Sequence, residues 1–376
     1  MKPPRHFFPR AAASRGSVLV IVLVTLLFTT IALVAFVEKA SDDLLVEARE
    51  AAGRRLRQEA YSALEVTLGV LEDFRLVNGG LRSPAEGWAD PLGFAHWEPS
   101  EGRTVEVSFE DESGKLSLPH VELTTLVSLF QGWDLPQADA ERLADSLLGW
   151  MKKEHVSSSA RLPEYDRGSL PYGPPLRSLR SYSELAAIDY AREMFYDENG
   201  LPNELWHRFV AAISLYDFKE TNLNGLSGNL LNDLGLIDES QQRQFEDFRS
   251  GTGSHARAGP GFFESPADAT GVLGAQTALT GYGTQISALR VILTVREGQT
   301  NFRLSVVVAP TGGATAVQEV AASTRLTEPE TPRAEPTKAG KGESPAGTKK
   351  LNYPFTLLEI RENAEISPVT ALSTQA

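Results

Sequence analysis

The chain has 376 residues, of which 41% are hydrophobic, so it can bury a sizeable core and is expected to form two or three structural units. Its formal net charge of −13 would make most of the surface repel phosphate backbones, so nucleic acid is not expected as the main partner. The absence of cysteine excludes disulfides and thiolate metal sites.

A basic segment precedes an apolar one at the N-terminus. No acidic residue occurs before Glu38, whereas four basic residues do: Lys2, Arg5, Arg10 and Arg15. The uncharged run Ser17–Val37 would rise roughly 31 Å as an α-helix, enough to cross a bilayer core. Because acidic residues outnumber basic ones in the following segment Glu38–Glu50, the positive-inside rule predicts a cytoplasmic N-terminus, with the rest of the chain outside the cytoplasm.

The helical pattern continues beyond this span. Apolar and small residues recur every three or four positions, namely Leu45, Ala48, Ala52, Leu56, Ala60, Ala63, Leu71 and Phe74. This spacing predicts one long helix. Its stripe is either an ordinary core face or a seam along which helices bundle.

Alternating segments predict a small sheet. Val105–Phe109 is the first such strand. Ala288–Val295 and Phe302–Val308 follow, and the separator Arg296-Glu297-Gly298-Gln299 predicts a hairpin between them. A last strand is predicted at Pro354–Arg361.

The region between the first strand and the hairpin has helical patterns and an internal repeat. Aligning Leu116 with Thr221 also superposes three leucine pairs: Leu118 on Leu223, Leu126 on Leu231, and Leu129 on Leu234. A polar Asn or Ser in each copy is expected to cap the next helix, and the leucines to bury one face of a small bundle. The repeat is therefore interpreted as structural.

Three further segments have the composition of connectors. Pro and Gly are frequent in Arg161–Arg177, and Gly, Ala and Thr in Gly251–Gly283. Thr311–Lys350 is rich in Pro, Thr, Glu, Lys and Gly, which predicts a disordered excursion.

Candidate chemistry is sparse. No phosphate loop, nucleophile elbow or dinucleotide fingerprint occurs, and the histidines lack the spacing of a zinc helix, so catalysis is not predicted. Asp197-Glu198-Asn199-Gly200 has part of the pattern of a calcium loop, and its alternative is a turn between helices. Asp111, with Glu110 and Glu112, could gather a cation or form a solvated corner. The calcium candidates are thus Asp111, Asp197 and Asn199.

The stretch Arg15-Gly16-Ser17-Val18-Leu19-Val20-Ile21 resembles the type III signal of type IV pilins. The resemblance implies that prepilin peptidase cleaves after Gly16 and that Ser17 becomes the methylated N-terminus of a retained helix. Most pilins carry Glu at the fifth mature position, where Ile21 stands here. Because a carboxylate in the bilayer is costly without a partner, Ile21 suits a subunit that caps a filament.

The phrase Asp111–Leu116 resembles the opening of the inserted domain of K-class pseudopilins, the general secretion pathway protein K family of type II secretion. The family's Asn-Leu-Asn part is replaced by Ser117-Leu118-Pro119 and reappears at Asn222-Leu223-Asn224. The resemblance implies an α+β fold: a long N-terminal transmembrane pilin-like helix and a pilin-like α/β domain with an antiparallel sheet, interrupted by a large all-α inserted domain of two related helical halves.

The expected boundaries follow from the resemblance and the patterns together. They are 1–16 leader, 17–37 transmembrane helix, 38–109 helix continuation and first strand, 110–250 inserted helical domain, 251–310 Gly-rich loop and hairpin, 311–350 linker, and 351–376 last strand and tail.

The resemblance also implies a function. The chain would be a non-enzymatic minor pseudopilin in the tip complex of the type II secretion pseudopilus, which supports secretion across the outer membrane. Its partners would be the other minor pseudopilins, the major pseudopilin, prepilin peptidase and the inner-membrane platform. It would span the inner membrane once, with its bulk in the periplasm. Related pseudopilins bind calcium, which makes calcium the candidate cofactor.

Three alternatives remain open. The first is a minor pilin of a type IV pilus or related filament, and the second is a signal-anchored periplasmic protein. The third is a nucleic-acid-binding protein, because the Asn-Leu-Asn phrase also occurs in helix-hairpin-helix modules. The acidic residues near the second copy, including Asp217, Glu220 and Asp233, oppose phosphate binding there.

Overall fold

The computed structural model describes residues 15–157, 165, 172–274, 277, 279–316 and 354–363. The chain divides into two compact units, Met1–Gln58 and Glu59–Ala376. The leader before Arg15, most of the predicted connector at Arg161–Arg177 and the predicted excursion beyond Ala316 lie outside the described residues.

The regular elements of the described residues follow the predicted order. The helices are α1 (Arg15–Asn78), α2 (Pro91–Phe94), α3 (Leu123–Gly132), α4 (Gln137–Met151), α5 (Ala191–Phe195), α6 (Glu204–Ala212), α7 (Gly228–Asp233), α8 (Glu239–Ser250) and α9 (Pro266–Leu273). The strands are β1 (Arg103–Asp111), β2 (Leu116–Ser117), β3 (Ile213–Ser214), β4 (Thr221–Asn222), β5 (Tyr282–Gly283), β6 (Leu289–Glu297), β7 (Thr300–Pro310) and β8 (Phe355–Glu362).

The predicted long helix is confirmed as α1. Within the described residues it is the one helix long and apolar enough to cross a membrane, and its most apolar part is not buried in the protein. The hydroxyls of Thr25, Thr29 and Thr30 donate to carbonyls three or four residues earlier in the helix. These polar groups are therefore satisfied without water, as an apolar surrounding requires.

The second unit contains an antiparallel sheet with the strand order β1-β6-β7-β8. All the predicted strands are confirmed, and each is a few residues longer than its pattern suggested or is shifted by one residue. The register places Val107 opposite Leu293, and Leu293 opposite Leu304. This apolar face lies on the side of α1, because Arg103 at its start pairs with Glu59 of α1 at 2.8 Å.

Helices α3 to α9 lie in sequence between β1 and β6, which are hydrogen-bonded neighbours in the sheet. Their apolar side chains form one core, which includes Leu126, Leu147, Phe209 and Phe245. The region is not purely helical, because β2 pairs with β3 and β4 pairs with β5 in two short parallel ladders. The expectation of an all-α region is wrong to that extent.

The internal repeat has a structural counterpart. Each copy consists of a two-residue strand, a turn and two helices: β2, α3 and α4 in the first copy, and β4, α7 and α8 in the second. Leu118 and Leu223 are fully buried at equivalent positions, as are Leu126 and Leu231. Repeated leucine spacing thus marks a repeated packing unit.

The predicted helix caps are only partly correct. Ser227 caps α7 by accepting a hydrogen bond from the Leu230 N–H at 3.2 Å. Asn222 and Asn224 do not cap a helix, because both are buried and their amides hold other chain segments. In the first copy, α3 begins after Glu122, whose side chain makes no capping hydrogen bond.

Candidate functional site

The most unusual surroundings in the second unit belong to Asp111–Lys115, which we call the junction segment. It begins at the last residue of β1, forms a 3-10 turn over Glu112–Gly114 and leads into β2. Glu112 is 1% exposed and Lys115 8% exposed. A charged pair buried to this degree is tolerated only when it is compensated, so its partners define the site.

The partners of the junction segment come from three strands. Arg290 of β6 contacts the Glu112 Oε1 at 2.6 Å and the Glu359 Oε2 of β8 at 3.5 Å. Lys115 Nζ lies 2.7 Å from the Glu110 Oε1 of β1 and 3.2 Å from the Glu112 Oε2. We call these five residues the ion network. The network links the segment that follows β1 to two other strands. These are β6, which the chain enters after the helical region, and β8.

The network keeps its charges. Burial by itself would lower the pKa of Lys115, but the carboxylates of Glu112 and Glu110 outweigh it and raise that pKa well above its usual value. Burial opposes ionisation of Glu112 too, yet Lys115 and Arg290 hold its pKa below the ordinary value. Glu112, Lys115 and Arg290 are therefore ionised at neutral pH, and they stabilise the fold only while they stay together.

Asp111 links the junction segment to the second copy of the repeat. Its carboxylate accepts hydrogen bonds from the Ser113 N–H at 2.9 Å and from the Asn222 Nδ2 at 2.7 Å. Burial raises the pKa of Asp111 to about 6, although these hydrogen bonds lower it. The Asn222 amide also donates to the Arg82 carbonyl at 3.0 Å, so it bridges both sides of the junction.

Two glycines allow the copies to meet. A Cβ at Gly114 would overlap the backbone of Gly225, and a Cβ at Gly225 would overlap the Asp111 carboxylate. In a helix-hairpin-helix module a phosphate would approach this glycine turn, and here a carboxylate of the protein lies against it. The arrangement disfavours the nucleic-acid alternative.

Asn224 holds the second copy to the chain that leads back to the sheet. Its Nδ2 donates to the carbonyls of Phe263 and Thr284, both at 3.0 Å, and its Oδ1 accepts the Phe263 N–H at 2.7 Å. The aligned position of the first copy is Pro119, which has no such side chain. The polar clamp therefore belongs to one copy alone.

A cavity of about 910 Å³ adjoins the junction segment. Glu112, Lys115, Arg290 and Glu359 are among the residues that line it, together with Tyr182. Burial raises the pKa of Tyr182 far above its usual value, so its hydroxyl stays protonated. Glu112, Lys115, Arg290 and Glu359 pair with one another, which is the arrangement of a structural connection and not of an acid–base pair poised for catalysis.

The structure does not bring the calcium candidates together. The Asp197 Oδ1 accepts the N–H groups of Asn199 and Leu201 at 2.9 and 2.8 Å, which closes a turn between α5 and α6. Asp111 is engaged with Ser113 and Asn222 instead. Over the described ranges, no group of three or more His, Asp or Glu side chains is placed to hold a metal ion. Calcium binding by Asp111, Asp197 and Asn199 stays a prediction.

The processing and assembly candidates all lie on α1. Gly16 and Ser17 fall within its first turn, and Ile21 follows on the same helix with 60% of its surface exposed. No acidic residue lies in the first turn of the helix. Cleavage after Gly16, methylation of Ser17 and a capping role for Ile21 remain predictions.

Sequence reasoning missed Arg290, Glu359 and Tyr216, whose hydroxyl donates to the Glu359 carboxylate. A signal existed for Arg290, because a lone arginine inside the apolar run Leu289–Val295 needs a buried counter-ion. No comparable signal existed for Glu359. Its approach to Arg290 depends on how β8 pairs with β7, across a bulge at Val307/Val308.

An exposed apolar N-terminal helix, an antiparallel sheet and a helical region between two neighbouring strands define a pilin-like α+β protein. Residues 111–198 match the model of the family described as type II secretion system (T2SS), protein K, first domain. The match begins at the first residue of the junction segment. The predicted resemblance to the protein K family is thereby confirmed over residues 111–198.

A solved structure has the same fold. It is the crystal structure of the GspK-GspI-GspJ complex from the enterotoxigenic Escherichia coli type 2 secretion system. One of its chains matches with a TM-score of 0.54 and 14% identity, over 85% of this chain and 99% of that chain. At this identity the likeness concerns the fold alone. No curated protein sequence matches the chain.

Proposed function

We propose that this protein is a minor pseudopilin that forms the tip complex of the type II secretion pseudopilus and so supports secretion across the outer membrane. The observation that carries the proposal is the match of residues 111–198 to the protein K family. That stretch starts where the chain leaves the sheet and ends after α5, so the matched part is the first portion of the helical region that an ordinary pilin would lack.

The N-terminal helix supplies the anchor in this proposal. α1 spans the inner membrane once, with the N-terminus in the cytoplasm and the second unit in the periplasm, as the basic residues before Ser17 favour. Prepilin peptidase cleaves after Gly16 and the Ser17 amine is methylated. The apolar side chain of Ile21 needs no partner above it, which fits the last subunit of a filament.

The partners in this proposal are companion subunits. The solved neighbour is a complex of GspK with GspI and GspJ, which supports other minor pseudopilins as binding partners. The major pseudopilin and the inner-membrane platform would meet the protein during pseudopilus assembly.

The helical region has a mechanical role in this proposal. It forms an inserted domain that includes residues 110–250, sits at the tip and prevents addition of a further subunit. The ion network supports this role because it connects both chain crossings between that domain and the sheet. No step of the proposal requires catalysis, which agrees with a family of structural pseudopilins.

A complementation experiment tests the proposed function. A strain that lacks the protein receives the wild-type chain, the Ile21→Glu variant or a variant without 111–249. We expect the deletion to abolish secretion and pseudopilus initiation, and Ile21→Glu not to improve secretion. Normal secretion by the deletion variant, at wild-type protein levels, would refute the tip role.

Mass spectrometry of the membrane-extracted protein tests the processing step separately. We expect a mature chain that begins at methylated Ser17. A chain that retains Met1 in cells containing prepilin peptidase would contradict the pilin-like processing.

A further inference from the structure

The sheet ends on one side at β8. Within the described ranges no strand pairs with the outer side of β8, so a row of backbone N–H and C=O groups runs along that side. Natural proteins usually shield such an edge, since it is a template for pairing with another strand. The side chains of β8 therefore decide whether the edge is shielded or open.

A bulge in β8 places two of its apolar side chains, Leu357 and Ile360, on the same face. Val306 pairs with Ile360 and Val308 with Leu357, while Leu358 has no partner in the register. Since opposite residues of an antiparallel pair point to the same face, Ile360 and Leu357 share the face of Val306 and Val308. Without the bulge, their odd spacing would place them on opposite faces.

This face is the one that contacts α1, yet its outer rim is uncovered. Glu362, which pairs with Leu304, accepts a hydrogen bond from the Tyr61 hydroxyl of α1 at 2.7 Å. Leu304, Val306 and Val308 are fully buried, whereas Leu357 is 50% and Ile360 47% exposed. The apolar surface of the sheet thus continues outward onto β8 and stops at an open rim.

The backbone of β8 is available at the same place. The Asn363 N–H donates to the Arg303 carbonyl at 2.7 Å. Because N–H groups alternate in direction along a strand, Arg361 also points its N–H toward β7, and Ile360 points its N–H toward the open side. Ile360 therefore offers both a backbone donor at the edge and an exposed apolar side chain on the α1 side.

We propose that the open edge of β8 is a docking site for an extended strand of a companion minor pseudopilin. The proposal rests on the proposed function. A strand is the occupant because a row of backbone donors and acceptors is satisfied only by another extended backbone. The partner strand carries apolar side chains on the α1 side, against Leu357 and Ile360. It carries polar or charged side chains on the other face, where Glu359 and Arg361 lie.

The chain offers a matched control. Leu201 is an exposed leucine, 61% exposed, in the turn between α5 and α6 and not on the sheet. Replacing Leu357 and Ile360 by Lys puts two charges on the docking face, and Leu201→Lys puts one on an exposed site elsewhere. Neither change removes a buried side chain, and thermal unfolding of both variants checks that they fold.

The first experiment compares backbone hydrogen exchange in the full-length detergent-extracted protein, alone and co-purified with the companion pseudopilins that correspond to GspI and GspJ. We expect the Ile360 N–H to exchange at least tenfold more slowly in the complex. The Arg361 N–H, already bonded within the sheet, should change much less. An unchanged exchange rate at Ile360 in the complex overturns the proposal.

The second experiment measures recovery of the same companions. We expect the Leu357→Lys/Ile360→Lys variant to recover at least tenfold less than wild type, and Leu201→Lys to recover a wild-type amount. Normal recovery by the double variant overturns the edge assignment alone, whereas no recovery by the wild-type chain overturns the proposed function as well. Crosslinks from position 360 to a companion's helix, or to a second copy of this chain, also contradict the strand assignment.

Discussion

Replacing Asn224 by Ala is expected to destabilise the second unit by about 3 kcal/mol. The change removes all three hydrogen bonds that the Asn224 amide makes with Phe263 and Thr284. A buried donor without a partner costs roughly 1–3 kcal/mol, and the two carbonyls add less, since each has a second lone pair. Phe263 and Thr284 are almost fully buried, so water does not replace the lost Asn224 side chain as their hydrogen-bond partner.

Denaturation of the detergent-extracted protein, followed by tryptophan fluorescence, measures this loss. For a unit of this size the expected fall in Tm is roughly 6–12 °C, from about 2–4 °C for each kcal/mol. Asn232→Ala is the matched control, because Asn232 lies on α7 with an exposed side chain. This control should stay within about 0.5 kcal/mol of wild type.

A loss below about 1 kcal/mol for Asn224→Ala, or equal losses for the two variants, would refute the reasoning. Asn224 would then not be the clamp that closes the second copy of the repeat. Secretion should follow stability in the same order, with Asn224→Ala more impaired than Asn232→Ala.

Three further predictions concern the junction. Arg290→Met should cost about 3–5 kcal/mol in urea unfolding, because it leaves the buried Glu112 carboxylate without one of its two cationic partners. A neutral result would contradict the ion network. Gly114→Ala should prevent the close approach to Gly225 and so lower the Tm. Gly69→Ala, on α1 with open space around it, should leave the Tm unreduced. Equal effects of the two substitutions on the Tm would count against the contact. Since burial raises the pKa of Asp111 to about 6 from 3.8, the native state binds the proton more tightly than the unfolded state. Stability should therefore rise by about 1 kcal/mol from pH 7 to pH 5, and Asp111→Asn should lose this gain when both are unfolded in urea at the two pH values.

The elements of this protein follow closely from local patterns. The 3.6-residue period predicted α1, and period-two alternation predicted β1, β6 and β7. The alignment of Leu116 with Thr221, which superposes three leucine pairs, also corresponds to two similar packing units. These features depend on spacing along the chain, which the sequence contains directly.

The site depended on contacts between distant segments. In the sequence, the adjacent acids Glu110, Asp111 and Glu112 are typical of a solvated corner or a cation site. Their counter-ions Lys115 and Arg290 are recognised only when β1 and β6 are known to be neighbours. Likewise, nothing local reveals that Asn222 and Asn224 are buried, since a polar residue after a short strand is as typical of a helix cap.

The position of the ion network follows from the topology of the chain. The helical region is joined to the sheet by two covalent connections, one after Asp111 of β1 and one before Leu289 of β6, and these two residues are opposite each other in the register. Both connections therefore leave the same end of the same pair of strands. A force on the helical region would pull on this end first and would tend to part β1 from β6 there. Arg290 of β6, held to Glu112 beyond the end of β1, joins the strands at that point, so loss of this contact should weaken the link before it affects either the sheet or the helices.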